Sequence, residues 1–133
     1  MAETIEISKE IAEANPNWEQ RLPELILTQG VRINYDIETD LFLMTFGESR
    51  EGVMEPTSNA FVYLRLDPET LEIIGLAITA FQSKFLKHYK ELQRPTNALF
   101  RQPAHKRWQF GPGSGQAEQT AGVVRRAMSL VHA

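Results

Sequence analysis

A chain of 133 residues with 42% hydrophobic and 23% charged content has the make-up of one ordinary globular domain, which excludes wholesale disorder. It holds no cysteine, so disulfide frameworks, thiol catalysis and thiolate metal sites are excluded together, and a reducing cytoplasm is the expected location. The formal charge of −3 is spread unevenly: residues 1–80 carry fifteen Asp/Glu against five Lys/Arg, whereas residues 81–133 carry nine Lys/Arg against only Glu91 and Glu118. Such a split suits a basic part resting on an acidic one, in the same chain or a neighbouring one, or a basic tail with an acidic partner.

The opening residues Met1-Ala2-Glu3-Thr4-Ile5-Glu6 are acidic where a signal peptide is basic. No apolar run approaches the roughly 18 residues of a membrane span, so no membrane partner is expected. Residues 3–14 read as a short helix capped by Ser8, broken by Asn15-Pro16-Asn17 because the residue before a proline is pushed out of the helical region. Asn17 is placed to cap a second helix, with Trp18, Leu22, Leu25 and Ile26 on one face and Gly30 as its stop.

From Val31 the apolar period changes from 3.6 to 2. Val31, Ile33 and Tyr35 alternate with Arg32, Asn34 and Asp36, and residues 36–40 form a polar turn. Residues 41–46 are a strand apolar on both faces, Leu41 and Leu43 on one and Phe42, Met44 and Phe46 on the other. Residues 47–58 read as a loop, 60–66 as a third strand, Asp67-Pro68-Glu69-Thr70 as a turn and 72–79 as a fourth strand. Phe81, Phe85, Leu86, Tyr89 and Leu92 then return to helical spacing, in a helix that Arg94-Pro95 should end.

Beyond it, residues 111–115 look like a flexible Gly-rich linker, and Ala121, Val124, Met128 and Val131 mark a last amphipathic helix. The expected fold class is therefore α+β, a four-stranded antiparallel β-meander packed by the following amphipathic helix, with flanking N- and C-terminal helices. Three segments are expected: a helical one over 1–30, the meander and its helix over 31–93, and a basic extension over 94–133.

The run Tyr35-Asp36-Ile37-Glu38-Thr39-Asp40-Leu41-Phe42-Leu43, followed by Asp67 and Ile73-Ile74-Gly75-Leu76-Ala77-Ile78, resembles a small bacterial domain family of unknown function (domain of unknown function 2283) across residues 31–83. The chain departs from that pattern in a long loop over 47–59, in Asp67-Pro68-Glu69-Thr70 where Asp-x-x-Gly is usual, and in Ala77 where a Glu is customary. The resemblance implies a meander and brings no activity. Small proteins of this kind are sometimes found beside toxin-like partners, which implies an antitoxin-type role by association only.

Asp36, Glu38 and Asp40 are the candidate metal or catalytic carboxylates, because alternating acids can ring a hard cation. Counted from Asp36, the positions where a calcium loop needs Gly and Glu hold Leu41 and Gly47, so the EF-hand reading fails. A hairpin turn whose acids accept backbone N–H bonds is the simpler account. His88, His105 and His132 share no short motif with an acid, and neither Gly-x-Ser-x-Gly nor a P-loop is present.

Lys106, Arg107, Trp108 and Phe110, with Arg125 and Arg126, are the candidate interaction residues, because cations interleaved with aromatics can pair with phosphates and stack on bases. Trp108 and Phe110 could equally be anchors into the core that leave Lys106 and Arg107 in solvent, and anchoring is the preferred reading. Apolar side chains on both faces of the strands call for cover on both. The expected function is a non-catalytic protein-interaction module, a homodimer self-associating through the sheet and the basic arm, with no cofactor. The alternatives are a nucleic-acid-associated or antitoxin-like regulator using the basic half, and an enzyme or metal binder at Asp36/Glu38/Asp40.

Overall fold

Alternation along residues 31–36 gives one strand an apolar and a polar side, and the polar turn after it lets the chain fold back. Asp36 makes that turn with its own carboxylate, Oδ1 accepting the N–H of Glu38 at 2.9 Å. The computed structural model describes residues 5–100 and 107–131. It is an α+β chain with six strands: β1 (Val31–Asp36), β2 (Leu41–Phe46), β3 (Val53–Pro56), β4 (Val62–Leu66), β5 (Ile73–Ile78) and β6 (Arg107–Phe110). All pairings are antiparallel and the order across the sheet is β3-β4-β5-β2-β1-β6.

The expected four-stranded meander is corrected in two respects. Two more strands are present, and β2 pairs with β5 rather than with the next strand in sequence. Burial explains the order. β5 is the most apolar strand, with five of its six residues buried, and takes an interior position. β3, largely exposed and ending at Pro56, which lacks an N–H for a further ladder bond, takes an edge. Gly75 permits the β5–β2 pairing, because a Cβ there would lie 1.9 Å from the Met44 carbonyl oxygen.

Two helices precede the sheet, α1 (Lys9–Ala14) and α2 (Trp18–Gln29). Ser8 caps α1 as expected, accepting the N–H of Ile11. Asn17 does not cap α2 with its side chain; it lies in the left-handed region at φ 56° and only turns the chain. Gly30 ends α2 at φ 78°, where a Cβ would meet the Phe110 carbonyl oxygen at 2.7 Å, so the same glycine also lets β6 approach.

The stripe from Phe81 to Leu92 is not one helix. Residues Phe81–Phe85 form a wide turn in which the N–H of Phe85 donates to the Ala80 carbonyl at 2.8 Å. It runs into α3 (Leu86–His88), breaks at Tyr89, and continues through a tight turn over Lys90–Leu92 into α4 (Gln93–Leu99). Pro95 was expected to stop this helix and instead lies in the first turn of α4, where a missing N–H is tolerated. The Gly-rich stretch is an ordered turn rather than a flexible linker: the N–H of Gly113 donates to the Leu27 carbonyl at 2.9 Å. Ser114 then caps α5 (Gly115–Leu130) by accepting the N–H of Ala117 at 3.1 Å.

One side of the sheet carries the core. Register places Val31, Ile33, Phe42, Met44, Phe46, Val62, Leu64, Leu66 and Leu76 on that side. These join a single apolar cluster with Ile11 of α1, Leu22 and Ile26 of α2, and Ala121, Val124 and Met128 of α5. Full burial of side chains such as Leu22, Ile26 and Leu64 stabilises the fold by about 1.5–3 kcal/mol each. Among the described residues, no helix is long and apolar enough to cross a membrane.

Candidate interaction surface

The side chains that alternate with the core residues point to the opposite face. Across the strands, Arg107, Asn34, Leu43, Ala77, Tyr63 and Pro56 are successive register neighbours and form one row. Gln109, Arg32, Thr45, Gly75, Arg65 and Met54 form the row beside it. Neither Ala77 nor Ile74 belongs to the core cluster, although both are buried. The Ile74 side chain lies against Gly52 of the β2–β3 loop, and Ala77 sits between Leu43 and Tyr63, both half-exposed. Ile11 of α1, Leu22 and Ile26 of α2, Leu86 of α3 and Ala121, Val124 and Met128 of α5 all lie in the cluster on the other side, so these helices do not cover this face.

Three arginines lie on it. Arg65 donates to the Thr45 hydroxyl and, at 3.2 Å, to the Arg50 carbonyl; burial lowers its pKa. Arg32 has a buried Nε without a hydrogen-bond partner among the described residues. Arg107 is exposed at the rim. The face is thus apolar along its middle row and cationic beside it, with Met54 and Pro56 exposed at the β3 edge.

The candidate interaction residues do not form one patch. Arg107, Trp108 and Phe110 lie on β6, which pairs with β1 of the same chain, while Arg125 and Arg126 lie on α5. Trp108 and Phe110 turn inward, with ring centres 4.8 and 6.5 Å from Phe100, as the preferred anchoring reading expects. Arg107 faces solvent, and Arg126 pairs with Glu91 at 3.0 Å. Lys106, His105 and His132 lie outside the described residues. His88 is exposed beside Tyr89, their ring centres 4.7 Å apart.

The acids of the 36–40 turn are engaged with backbone. Asp36 Oδ1 accepts from Glu38 and Thr39, and Glu38 is exposed. Asp40 accepts the Tyr35 hydroxyl at 2.6 Å and the N–H groups of Gln82 and Ser83 at 2.9 Å each. Burial pushes this carboxyl up, but hydrogen bonds from Ser83, the Tyr35 hydroxyl and the two N–H groups outweigh it and hold the pKa at about 2. Burial and the Asp40 carboxylate raise the Tyr35 phenol well above its ordinary value. Among the described residues no group of three or more His, Asp or Glu is placed to hold a metal ion.

Sequence reasoning set Arg32 on the polar side of its strand but did not bring Tyr63, Arg65 and Ala77 onto the same face. Their signal was present in the two-sided apolar pattern of β2, which already required something on the side of Leu41 and Leu43. What could not be read was which residues of β4 and β5 share that side, because this depends on non-sequential pairing. Compared with family models, curated proteins and solved structures, the chain finds a match in none of the three.

Proposed function

We propose that this protein is a non-catalytic interaction module that self-associates through the open face of its sheet. The observation that carries this reading is the row Leu43–Ala77–Tyr63–Pro56 on a face that, among the described residues, α1, α2, α3 and α5 leave open. Two such faces packed together bury apolar residues now half-exposed. A two-fold axis parallel to the strands sets the β6 edge of one copy, with Arg107, against the β3 edge of the other, with Pro56. Sedimentation equilibrium at micromolar concentration in low and high salt tests it. A dimer in both, reduced to a monomer by Leu43→Lys, is expected; a monomer throughout would end the proposal.

A second reading rests on Arg32, Arg65 and Arg107 sharing this face with Tyr63, an arrangement that suits the backbone and bases of a single-stranded nucleic acid. A regulator of the antitoxin type, as the resemblance to the domain family implies, would use the same residues. Binding should weaken steeply with salt. Absence of retardation of single-stranded DNA and RNA at low salt removes it.

A further inference from the structure

On the helix side of the sheet lies a cavity of about 50 Å³, walled among others by Phe42, Met44, Phe81, Phe85, Val124 and Met128. Among the described residues only Thr96 and Thr120 bring hydroxyls to its wall, and that of Thr120 already donates to the Gln116 carbonyl at 2.7 Å. Such a space has little to offer water and suits an apolar group. Half-exposed Leu99, Phe100 and Val123 form its rim.

Leu99 and Val123 also line a surface groove between α4 and α5, together with Pro95, Ala98, Gly122 and Arg126. Ala98 and Arg126 in turn belong to a wider cleft with Lys90, Glu91 and Arg94. The groove shares Leu99 and Val123 with the cavity and Ala98 and Arg126 with the cleft, so the three form one track that is apolar inside and cationic at its outer end. Among the described residues Lys90, Arg94 and Arg126 there face one acid, Glu91, which pairs with Arg126 at 3.0 Å. An exposed pair of this kind is worth about 0–1 kcal/mol, so another carboxylate can compete for the arginine.

We infer that this track is a binding site for a single-chain fatty carboxylate, with Arg94 and Arg126 holding the carboxylate and the alkyl chain running between α4 and α5 into the cavity. The guanidinium fork matches a carboxylate in a way that a neutral alcohol head cannot exploit. Five residues of α4 separate Arg94 from Leu99, about 7.5 Å at 1.5 Å per residue, so a very short acid cannot reach both ends. The cavity takes the end of the chain, and Met44 and Met128 in its wall are side chains that repack readily. The track lies on the side of the sheet opposite the open face, so ligand binding and self-association are separable.

Isothermal titration of the full chain with butyrate, hexanoate, octanoate, decanoate and decanol tests this assignment. Saturable binding of decanoate below its micelle concentration is expected, with each methylene beyond hexanoate tightening it by up to about fourfold, the equivalent of about 0.8 kcal/mol. Decanol and butyrate should each bind at least tenfold more weakly than decanoate. The Arg94→Ala/Arg126→Ala variant, altered only at exposed positions, should weaken decanoate at least tenfold and leave decanol unchanged. Val123→Trp should block decanoate and decanol alike, with circular dichroism reporting that the fold is kept. No saturable decanoate binding, decanol binding as tightly as decanoate, or a double arginine variant that binds decanoate normally would each overturn the proposal.

Discussion

Asp40 and Ser83 lie 43 residues apart in sequence, yet the carboxylate of the first accepts the backbone N–H of the second at 2.9 Å. The same carboxylate takes the N–H of Gln82, and the carbonyl of Asp40 accepts the N–H of Phe81 at 3.0 Å. The β1–β2 turn thus caps the helical stretch that begins at Phe81, meeting N–H groups that the helix itself leaves unpaired. Asp40 achieves this in the left-handed region, at φ 55°, a conformation that Asp and Asn adopt more readily than most residues.

Asp40→Asn keeps the backbone preference but replaces one acceptor oxygen with an amide. The substitution is expected to destabilise the protein by about 1–2 kcal/mol at pH 7, the range of a lost cap. The folded pKa of Asp40, about 2, lies below the ordinary carboxyl value. Its contribution is therefore complete above about pH 4 and is lost as pH falls through the folded value. Urea denaturation of both proteins between pH 7 and pH 2 should show the gap between them narrowing below about pH 4. A gap that stays constant down to pH 2 would show that the ionised carboxylate adds nothing beyond its shape.

This long-range cap marks the boundary of what the sequence can convey. β1 and β2 were legible residue for residue because alternation is a local property, set by the pleat. So was the Asp67 turn, where Oδ1 accepts the N–H groups of Glu69 and Thr70 as the Asp-Pro-Glu-Thr run predicts. β3 was lost because an exposed edge strand ending at Pro56 has no buried side to impose a pattern. β6 was lost differently: Arg107 and Gln109 alternate with Trp108 and Phe110 as a strand should, but four residues are too few to distinguish a strand from an anchored loop. Asp36 was legible as a turn residue, its Oδ1 accepting from Glu38 and Thr39, but nothing near Asp40 in sequence reveals that the N–H groups of Gln82 and Ser83 are its partners. The open face was half legible, its β2 portion following from alternation and the rest depending on the β2–β5 pairing.

Asn15 is the residue whose role was least visible, and a strong effect is expected from replacing it. It is buried, and its amide nitrogen donates to the carbonyls of Ile11 at 2.9 Å and Leu71 at 2.8 Å, while its oxygen accepts the N–H of Ile73 at 3.0 Å. The side chain therefore joins the end of α1 to the β4–β5 turn. Asn15→Ala leaves buried polar groups of Leu71 and Ile73 unpaired and should cost about 2–3 kcal/mol. Asn15→Asp keeps the acceptor for Ile73 but sets a carboxylate against two carbonyl oxygens, so its loss should shrink on acidification, as protonation restores a donor. Chemical denaturation at pH 7 and pH 4 distinguishes the two variants. A cost below about 0.5 kcal/mol for Asn15→Ala would mean that water serves Ile73 equally well.

The two residues at the start of β6 should separate packing from recognition. Trp108 is half-buried against Phe100 and faces Ile33 in register, whereas Arg107 is exposed opposite Asn34. Trp108→Ala removes an aromatic contact and part of the cover over the β1 end of the core, so a loss of about 2–3 kcal/mol is expected, somewhat below that of a fully buried tryptophan. Arg107→Ala should change stability by no more than about 0.5 kcal/mol. In the self-association assay the order should reverse, because Arg107 lies at the rim of the open face while Trp108 points to the other side of the sheet. Thermal unfolding and sedimentation of both variants, measured under conditions where each remains folded, give the comparison. If Trp108→Ala weakened association while Arg107→Ala left it untouched, the partner would have to lie on the helix side of β6 and the open face would lose its role.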